Sequence, residues 1–420
     1  MPRVLVIATT TGYQTRAFGK AASDVGVDLV FATDRCYQLD NPWRDDAVPV
    51  RFHDEPRSVA AIGEMARRTP VDGVLAVGDR PAVLAALAAV ALGVPGHPPG
   101  GVRVCGNKLD TRRRLQAAGL PCPPFRALRV GTNLEALPDD IAFPCVVKPL
   151  ALSGSRGVIR ANSPTELRAA VARVCRLLAR GEVRQRRDPS DTQLVVETFI
   201  PGREYALEGV MENGALHILA LFDKPDPLDG PFFEETIYVT PSAEPDATRD
   251  RIVGAVTEAA RALGLHHGPV HAECRVNEHG VFVLEIAARP IGGLCARALK
   301  FSRRGDRVVS LEELLLRHAL GEPVRGYRLL PEASAVMMIP IPRAGVYRRV
   351  KGASAATAVP GVVDLVVTAK PDQRLEPLPE GASYLGFIFA RAENPADAVR
   401  ALRQAHDLLD VVIDKSIPVV

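Results

Sequence analysis

The chain has 420 residues, of which 47% are hydrophobic and 24% are charged, a composition typical of globular proteins with about two to four domains. A net charge of +3 gives no reason to expect binding to nucleic acid or to a membrane surface. The seven cysteines show no CxxC spacing and the N-terminal residues lack the pattern of a signal peptide, so the sequence predicts a cytoplasmic protein.

The first hundred residues alternate between strand patterns and helix patterns. Runs rich in Val, Ile and Leu predict strands at Arg3–Thr9, Asp28–Thr33 and Asp72–Val77, with helices at Ser58–Arg68 and from Ala82 onward. This alternation is typical of a parallel, Rossmann-like layer. The glycine fingerprint GxGxxG is absent after the first strand, so we do not expect a dinucleotide in this layer.

Helix-start signals follow the third strand and the Pro- and Gly-rich stretch at residues 94–101. We expect Asp79 to cap the helix after the third strand, and Asp110 to cap a helix at Thr111–Ala118. A capping box at Ser163–Glu166 predicts a further helix that ends near Arg180.

A lysine and a glycine-bearing loop follow the strand predicted at Phe143–Pro149. Lys148 ends that strand, and the loop Leu152–Val158 contains small residues whose backbone N–H groups can turn toward an anion. This pattern indicates a phosphate site only weakly by itself, because glycine loops after strands are common. The basic stretch Arg184–Arg187 is interpreted as an exposed loop.

Three further strands are expected at Gln193–Glu197, Glu204–Met211 and Leu216–Phe222, the last two joined at an Asn-Gly turn. A long segment, residues 223–240, follows, and loops of this length in compact domains are often functional. We interpret Glu234 and Glu235 within it as exposed loop charges.

The stretch from Gly268 to Gly293 predicts two strands joined by a three-residue turn, Glu278–Gly280. That turn would pair Asn277 with Val281, Glu273 with Glu285 and His271 with Ala287. Because side chains alternate along a strand, the two faces follow from this register. The expected apolar face consists of Val270, Ala272, Cys274, Val276, Phe282, Leu284, Ile286 and Ala288. The expected polar face consists of His271, Glu273, Arg275, Glu285 and Arg289.

Two opposed carboxylates characterise the polar face. At ~5 Å they repel by roughly 3 kcal/mol at an effective dielectric of about 20, and directly opposed like charges destabilise a hairpin. A shared cation would turn this cost into a binding site, and hard oxygen ligands suit Mg²⁺. The alternative is a solvated sheet face whose charges serve only solubility.

The remaining residues predict a helix at Leu311–Ala319, then strands at Ser334–Ile339, Val362–Val367 and Ser383–Ala390 and a helix capped by Asn394. We interpret residues 331–420 as a separate small α+β unit.

The ordered motifs resemble the ATP-grasp superfamily over roughly residues 1–325. They are Asn107-Lys108, Pro144 to Pro149 with Lys148, the loop Ser153–Val158, Glu197, Pro201-Gly202 with Glu204, Glu273, and Glu285 with Arg289. The run Gly230–Thr236, the triplets His271–Glu273 and Ala287–Arg289, and the extra C-terminal unit resemble the L-amino acid ligases, which join two unprotected amino acids. The resemblance implies an α/β and α+β multidomain ATP-grasp fold with three domains, residues 1–105, 106–330 and 331–420, and a lid at about 144–192.

The resemblance also implies roles for individual residues. Lys108 and Lys148 would contact the phosphates of ATP. The nucleotide lid loop and the adenine and ribose contacts would involve Ser153, Gly154, Ser155, Gly157, Glu197, Phe199, Ile200 and Glu204. Glu273 and Glu285 would hold Mg²⁺, or alternatively Mn²⁺. Arg289 would bind the substrate carboxylate and its acyl phosphate, with His271 positioning that group.

The implied function is an ATP-dependent carboxylate–amine ligase that forms an amide bond between two L-amino acids. Its partners would be small-molecule carboxylate and amine substrates, with a homodimer left open. The alternatives are a purine-pathway or biotin-carboxylase-like ATP-grasp enzyme, or a non-catalytic nucleotide-binding module. Many ATP-grasp enzymes carry Asn two residues after the second metal-ligand Glu, and here that residue is Ala287.

Overall fold

The computed structural model of the protein describes residues 1–9, 14–34, 47–133, 141–303 and 307–415. The helices in these ranges are α1 (Thr15–Val25), α2 (Glu55–Arg68), α3 (Asp79–Leu92), α4 (Pro99–Cys105), α5 (Lys108–Ala117), α6 (Pro164–Leu178), α7 (Gly181–Arg184), α8 (Asp246–Ala262), α9 (Leu311–Ala319), α10 (Ala353–Thr357) and α11 (Pro395–Asp407). The strands are β1 (Arg3–Ala8), β2 (Asp28–Thr33), β3 (Val48–Pro49), β4 (Gly73–Val77), β5 (Phe125–Arg129), β6 (Cys145–Pro149), β7 (Ile159–Ala161), β8 (Gln193–Thr198), β9 (Arg203–Glu212), β10 (Ala215–Asp223), β11 (Ile237–Thr240), β12 (Gly268–Asn277), β13 (Gly280–Ala287), β14 (Lys300–Ser302), β15 (Val309–Ser310), β16 (Arg328–Leu329), β17 (Ala333–Ile339), β18 (Gly345–Lys351), β19 (Val362–Val367), β20 (Arg374–Leu375), β21 (Gly386–Ala392) and β22 (Asp410–Asp414).

The N-terminal layer is a parallel sheet in the order β3-β2-β1-β4, as its alternating pattern predicts. The carboxyl ends of these strands meet at one edge, where a parallel sheet usually presents its ligand crevice. Two cap predictions were wrong. The α3 N-cap is Gly78, so Asp79 does not cap the helix. The α5 N-cap is Asn107, whose Oδ1 accepts hydrogen bonds from the N–H groups of Leu109 and Asp110 at 3.0 and 3.2 Å.

Residues 141–198 build a second, antiparallel sheet, whose order β5-β8-β6-β7 includes the earlier strand β5. Helix α6 begins at the predicted capping box, where Ser163 Oγ accepts a hydrogen bond from the Glu166 N–H at 3.3 Å. Its apolar side packs on the sheet through Leu167, Val171 and Val174, all at most 2% exposed. The predicted lid therefore has a hydrophobic core of its own.

The central sheet has eight strands in the order β13-β12-β9-β10-β11-β17-β21-β19. Its last three strands come from the residues predicted as a separate C-terminal unit, and β11 pairs with β17 to join the two parts. The three domain boundaries stay a prediction. The C-terminal residues belong to the same sheet as the hairpin that carries the polar face. No helix within the described ranges combines the length and apolarity needed to cross a bilayer.

The β12–β13 hairpin departs from its predicted register at the turn. Asn277 pairs with Gly280 rather than Val281, because a two-residue turn closes where the Asn277 Oδ1 accepts a hydrogen bond from the His279 N–H at 2.9 Å. An irregularity at Leu284 then restores the predicted pairing of Glu273 with Glu285 and of His271 with Ala287.

Because of this irregularity, a β-bulge, the residues of β13 between the turn and Leu284 lie on the opposite faces of the strand from those predicted. Val281 and Val283 enter the hydrophobic core at 7% and 4% exposure, in place of the predicted Phe282 and Leu284. Leu284 lies instead on the wall of the main cavity. The polar face survives because the bulge lies between the turn and Glu285.

Candidate active site

A cavity of about 490 Å³ lies where the N-terminal layer, the lid sheet, the central sheet and the C-terminal residues meet. Its wall contains these residues predicted for the site: Lys108, Lys148, Ser153, Gly154, Ser155, Glu197, Phe199, Ile200, Glu204, His271, Glu273, Glu285 and Arg289. Gly157 is not part of this wall. Its N–H donates to the Pro379 carbonyl at 2.9 Å, away from the predicted phosphate position. The roles assigned to all these residues stay predictions.

The loop after β6 places two left-handed residues beside the cavity. Gly154 has φ +62° and Ser155 has φ +55°, a conformation that lets consecutive backbone N–H groups face one side. Lys108 lies beneath this loop, its Nζ donating to the Leu152 carbonyl at 2.8 Å and approaching Glu285 Oε2 at 3.4 Å. The arrangement suits an anion such as the phosphates of a nucleotide.

Glu197 is the buried centre of a three-residue charge cluster. Arg112 donates to its two carboxylate oxygens at 2.7 and 3.2 Å, and Lys148 forms a short ion pair with it. Burial alone would raise the pKa of Glu197, but the two cations lower it to about 2. The carboxylate therefore holds Lys148 in place, and the neighbouring Phe199 and Ile200 add apolar side chains to the cavity wall.

A second charge cluster surrounds Lys224, which is 3% exposed. Its Nζ lies 2.8 Å from Glu204, 2.7 Å from Glu235 and 3.1 Å from Glu273. The other oxygen of Glu204 accepts from Arg275 Nε at 2.9 Å. Both oxygens of Glu204 are thus engaged by cations, and its predicted contact with ribose stays a prediction.

The interpretation of Glu235 as an exposed loop charge was wrong. Its side chain is 14% exposed, lines the cavity and accepts a hydrogen bond from the Tyr238 hydroxyl at 2.9 Å. Burial, together with the neighbouring Glu273, raises the pKa of Glu235 to about 7 despite Lys224. Although burial acts in the opposite direction, Lys224 and His271 hold the pKa of Glu273 well below its usual range.

His271 is fixed by a fully buried carboxylate that the sequence did not reveal. Its Nδ1 lies 3.0 Å from Glu208, which is 0% exposed and also accepts from the Ile291 N–H at 3.1 Å. Burial favours the neutral imidazole, but the hydrogen bond with Glu208 and the nearby carboxylate of Glu273 raise the pKa of His271 to about 9. The raised pKa favours the protonated ring, whose Nε2 lies 3.7 Å from Glu273.

Arg289 reaches the cavity from just beyond β13. Its Nε and Nη2 donate to the two oxygens of Asp79 at 2.8 and 3.2 Å, so the guanidinium is held by the residue predicted to cap α3. Burial lowers the pKa of a guanidinium, but Asp79 outweighs it and the net direction is upward. The bidentate pair fixes the plane of the fork at the carboxyl edge of the N-terminal sheet.

Several residues that contact predicted site residues gave no sequence signal of their role. Arg112 falls in a predicted helix, Glu208 falls in a predicted strand, and Lys224 and Tyr238 fall in the long segment 223–240. The parity of β9 offered a partial signal, since Glu204 and Glu208 are four residues apart and share one face. The basic stretch was also interpreted incompletely, because Arg186 donates to the Ala151 carbonyl at 2.8 Å and lines the cavity.

The donor chemistry fits a hard divalent cation. Glu273 and Glu285 are direct cross-strand partners, and oxygen atoms of Glu204, Glu235 and Glu273 lie within 4.8 Å of one another. Lys224 contacts all three of these carboxylates, whereas Glu285 has only Lys108 near it among the ion pairs of the described residues. The assignment of Glu273 and Glu285 to Mg²⁺ stays a prediction, and Ala287 beside them supplies no side-chain ligand.

Three family models match this chain. An ATP-grasp domain matches residues 141–298, an ATP-grasp N-terminal domain matches residues 19–96, and the L-amino acid ligase C-terminal domain 2 matches residues 337–414. The chain is also similar to the crystal structure of an L-amino acid ligase from Bacillus licheniformis, with 27% identity and a TM-score of 0.83 over 99% of each chain.

The alignments with curated relatives cover a smaller share of those proteins. An uncharacterized protein y4rH from Sinorhizobium fredii is 26% identical over 76% of this chain and 63% of its own. A D-alanine–D-alanine ligase from Ralstonia pickettii is 27% identical over 51% of this chain and 62% of its own. The chain thus spans less than two thirds of the length of these relatives.

Proposed function

We propose, from the premise that the chain belongs to the ATP-grasp superfamily of ATP-dependent carboxylate–amine ligases, that it joins two L-amino acids by an amide bond. The observation that carries this proposal is the convergence in one cavity of a phosphate loop, two lysines, an opposed carboxylate pair and a clamped arginine. The C-terminal match and the similarity to a Bacillus licheniformis ligase support the amino acid class.

In the first step a substrate carboxylate oxygen attacks the γ-phosphorus of ATP, the bond to the β–γ bridging oxygen breaks and ADP leaves. Lys108 and the loop around Ser153 bind the phosphates, and Arg289, held by Asp79, orients the carboxylate. The chemistry that Mg²⁺ supplies, when held by Glu273 and Glu285, is neutralisation of phosphate charge. Catalysis then depends on positioning and electrostatics without an enzyme nucleophile.

In the second step the free amine of the other amino acid attacks the acyl carbon, the C–N bond forms and phosphate leaves with the C–O electron pair. The proton of the amine leaves to solvent or phosphate. The imidazolium of His271, fixed by Glu208, lies on the same face and stabilises negative charge on the acyl phosphate. Closure of the lid, which comprises residues 144–192, would exclude water from this hydrolysable intermediate.

The test is incubation of the purified protein with ATP, Mg²⁺ and a matrix of amino acid pairs. Phosphate release and product mass are measured, with single amino acids and EDTA as controls. We expect release that needs both amino acids and a product mass equal to their sum less one water. Phosphate release that is indifferent to amino acids, or that depends on bicarbonate, contradicts the proposal.

A further inference from the structure

The C-terminal segment at residues 376–384, here called the clasp, joins the lid to the part of the cavity lined by Tyr238, Met338 and Tyr384, here called the substrate end. Arg173 of α6 donates to both oxygens of Glu380 at 2.6 and 2.8 Å. Arg180, just after α6, donates to Glu376 at 2.6 Å. The lid helix therefore holds the clasp through two ion pairs, one of them bidentate.

The loop that follows β6 contacts the clasp as well. Arg156 Nε donates to the Glu380 carbonyl at 2.9 Å, and the Gly157 N–H donates to the Pro379 carbonyl at the same distance. Gly157 has φ +75° and little room for a Cβ, which would approach Pro149 Cγ at 3.1 Å. The predicted nucleotide loop is therefore anchored at its far end on C-terminal residues.

The last residues of the clasp form part of the cavity wall. Tyr384 packs edge-on against Phe387, with ring centroids 6.1 Å apart, so the ring is supported from behind by the central sheet. Tyr238, Cys295 and Met338 line the same cavity, and each is at most 3% exposed. Of these four side chains only Tyr384 is partly exposed, so its ring offers the most surface to a ligand.

Charge at this end of the cavity is unfavourable for an acidic side chain. Glu235 and Glu273 line the wall, and Lys224 lies behind them and is not part of it. Three carboxylates, Glu204 included, face two cations, Lys224 and Arg275. The Glu235 carboxyl group on this wall can pair with a substrate ammonium and disfavours an acidic side chain beside it.

We propose that Tyr384 is a specificity-determining residue for the amine substrate, and that the ion pairs between the clasp and the lid set its position. The inference rests on the proposed function and deepens it by naming a substrate class. The amine substrate is an amino acid with a neutral, apolar side chain, which packs on the ring of Tyr384 while its ammonium faces Glu235. Because the clasp is bound to the lid, the size of this pocket depends on lid closure.

The test compares acceptor selectivity among variants at residue 384. The kcat/KM of Gly, Ala, Leu, Phe, Trp and Asp as amine substrates is measured for the wild type, Tyr384→Phe, Tyr384→Ala and Tyr384→Trp, with the carboxylate substrate fixed. Removing the ring should raise the ratio of Trp to Ala by about 10-fold or more, and Tyr384→Trp should lower it. Tyr384→Phe should keep the wild-type order, and Asp should be the poorest acceptor throughout.

Ratios within about twofold of wild type in both Tyr384→Ala and Tyr384→Trp overturn the role of Tyr384. Because one variant enlarges and the other fills the pocket, a folding defect in either leaves the other decisive. Efficient use of Asp overturns the substrate class alone. If the wild type ligates no amino acid pair, the proposed function fails and this inference fails with it.

The clasp is tested with Glu380→Gln, which keeps the shape of the side chain and weakens the pair with Arg173. We expect the KM of the amine to rise about 5-fold or more, as for a lost charge-assisted hydrogen bond. Glu332→Gln, which weakens an exposed 3.5 Å pair with Arg391 outside the cavity wall, is the matched control. Equal KM values in the two variants overturn the positioning role of the clasp.

Discussion

The cavity is bordered by two buried charge clusters of opposite balance. Around Glu197, two cations surround one carboxylate, whereas around Lys224, three carboxylates surround one ammonium with Arg275 as a second cation. The first cluster leaves positive charge beside the phosphate loop. The second leaves negative charge beside the opposed pair and the substrate end. The contrast shows how one cavity offers both an anion site and a cation site a short distance apart.

The two clusters should also differ in how much stability is lost when one charged partner is removed. A buried ion pair roughly breaks even when both partners are present, but removal of one partner leaves an uncompensated charge. Glu197 is satisfied by two cations, of which Arg112 also donates to the Leu284 carbonyl, whereas Lys224 is the one cation that contacts all three carboxylates of its cluster. We therefore expect the second cluster to be the more sensitive to substitution, and the following predictions test this difference.

The largest effect is expected for Glu285→Gln. This change removes one carboxylate of the pair proposed for Mg²⁺, and turnover should fall by about 1000-fold or more, because phosphate charge is left uncompensated. Amino acid-dependent phosphate release is the measurement. Glu278→Gln in the turn of the same hairpin, whose side chain is 80% exposed, is the control. Near-normal release at saturating Mg²⁺ would rule out Glu285 as a ligand.

Lys224→Met should destabilise the protein by about 3–5 kcal/mol, because three carboxylates then remain in a buried cluster without their shared cation. Urea unfolding at pH 7 measures the change. Lys20→Met removes an exposed lysine, 81% exposed and paired with Asp24, and should leave stability nearly unchanged. An unfolding midpoint equal to that of the control would show that Lys224 does not hold the cluster together.

Arg289→Lys should cost about 2–4 kcal/mol of transition-state stabilisation, or roughly 30- to 1000-fold in rate, since an ammonium cannot reproduce the planar fork. The melting temperature and the affinity for ATP should change little. Arg297→Lys, at a half-exposed pair with Asp364, serves as the control. Full ligation activity in a less stable variant would instead identify Arg289 as a brace for Asp79.

The smallest effect concerns acid stability and Glu197. The pKa of this carboxyl is lowered to about 2 in the folded protein by Arg112 and Lys148, against the effect of burial. A depressed pKa contributes stability that is present above the unfolded value of about 4.5 and lost as the pH falls toward 2. As the pH falls through this window, the free energy of unfolding of Glu197→Gln should therefore decrease by roughly 2 kcal/mol less than that of the wild type.

Urea titrations at pH 5.0, 4.0 and 3.0 (about the range in which the group titrates) would measure this slope for both proteins. Glu64→Gln, which affects only an exposed pair with Arg68, should follow the wild type. A slope for Glu197→Gln that matches the wild type would mean that Glu197 does not hold its cations in the folded state.

The sequence by itself predicted most of the longer strands and helices and the motif order of this protein, but not β5, β18 or the N-caps of α3 and α5. Alternation along β12 predicted that His271, Glu273 and Arg275 share a face, and the helix and strand patterns of the first hundred residues predicted a parallel layer. These properties are local, since they follow from side-chain periodicity, capping and turn residues within one segment.

Only the tertiary structure decided the register near the turn and the partners of the charged groups. The Asx turn at Asn277 and the bulge at Leu284 compensate each other, so the opposed carboxylates were predicted from a turn of the wrong length. Periodicity shows which side chains share a face but not which faces meet. Arg112 against Glu197, Lys224 among its carboxylates and Glu380 against Arg173 join segments far apart in the chain, and packing alone brings them together.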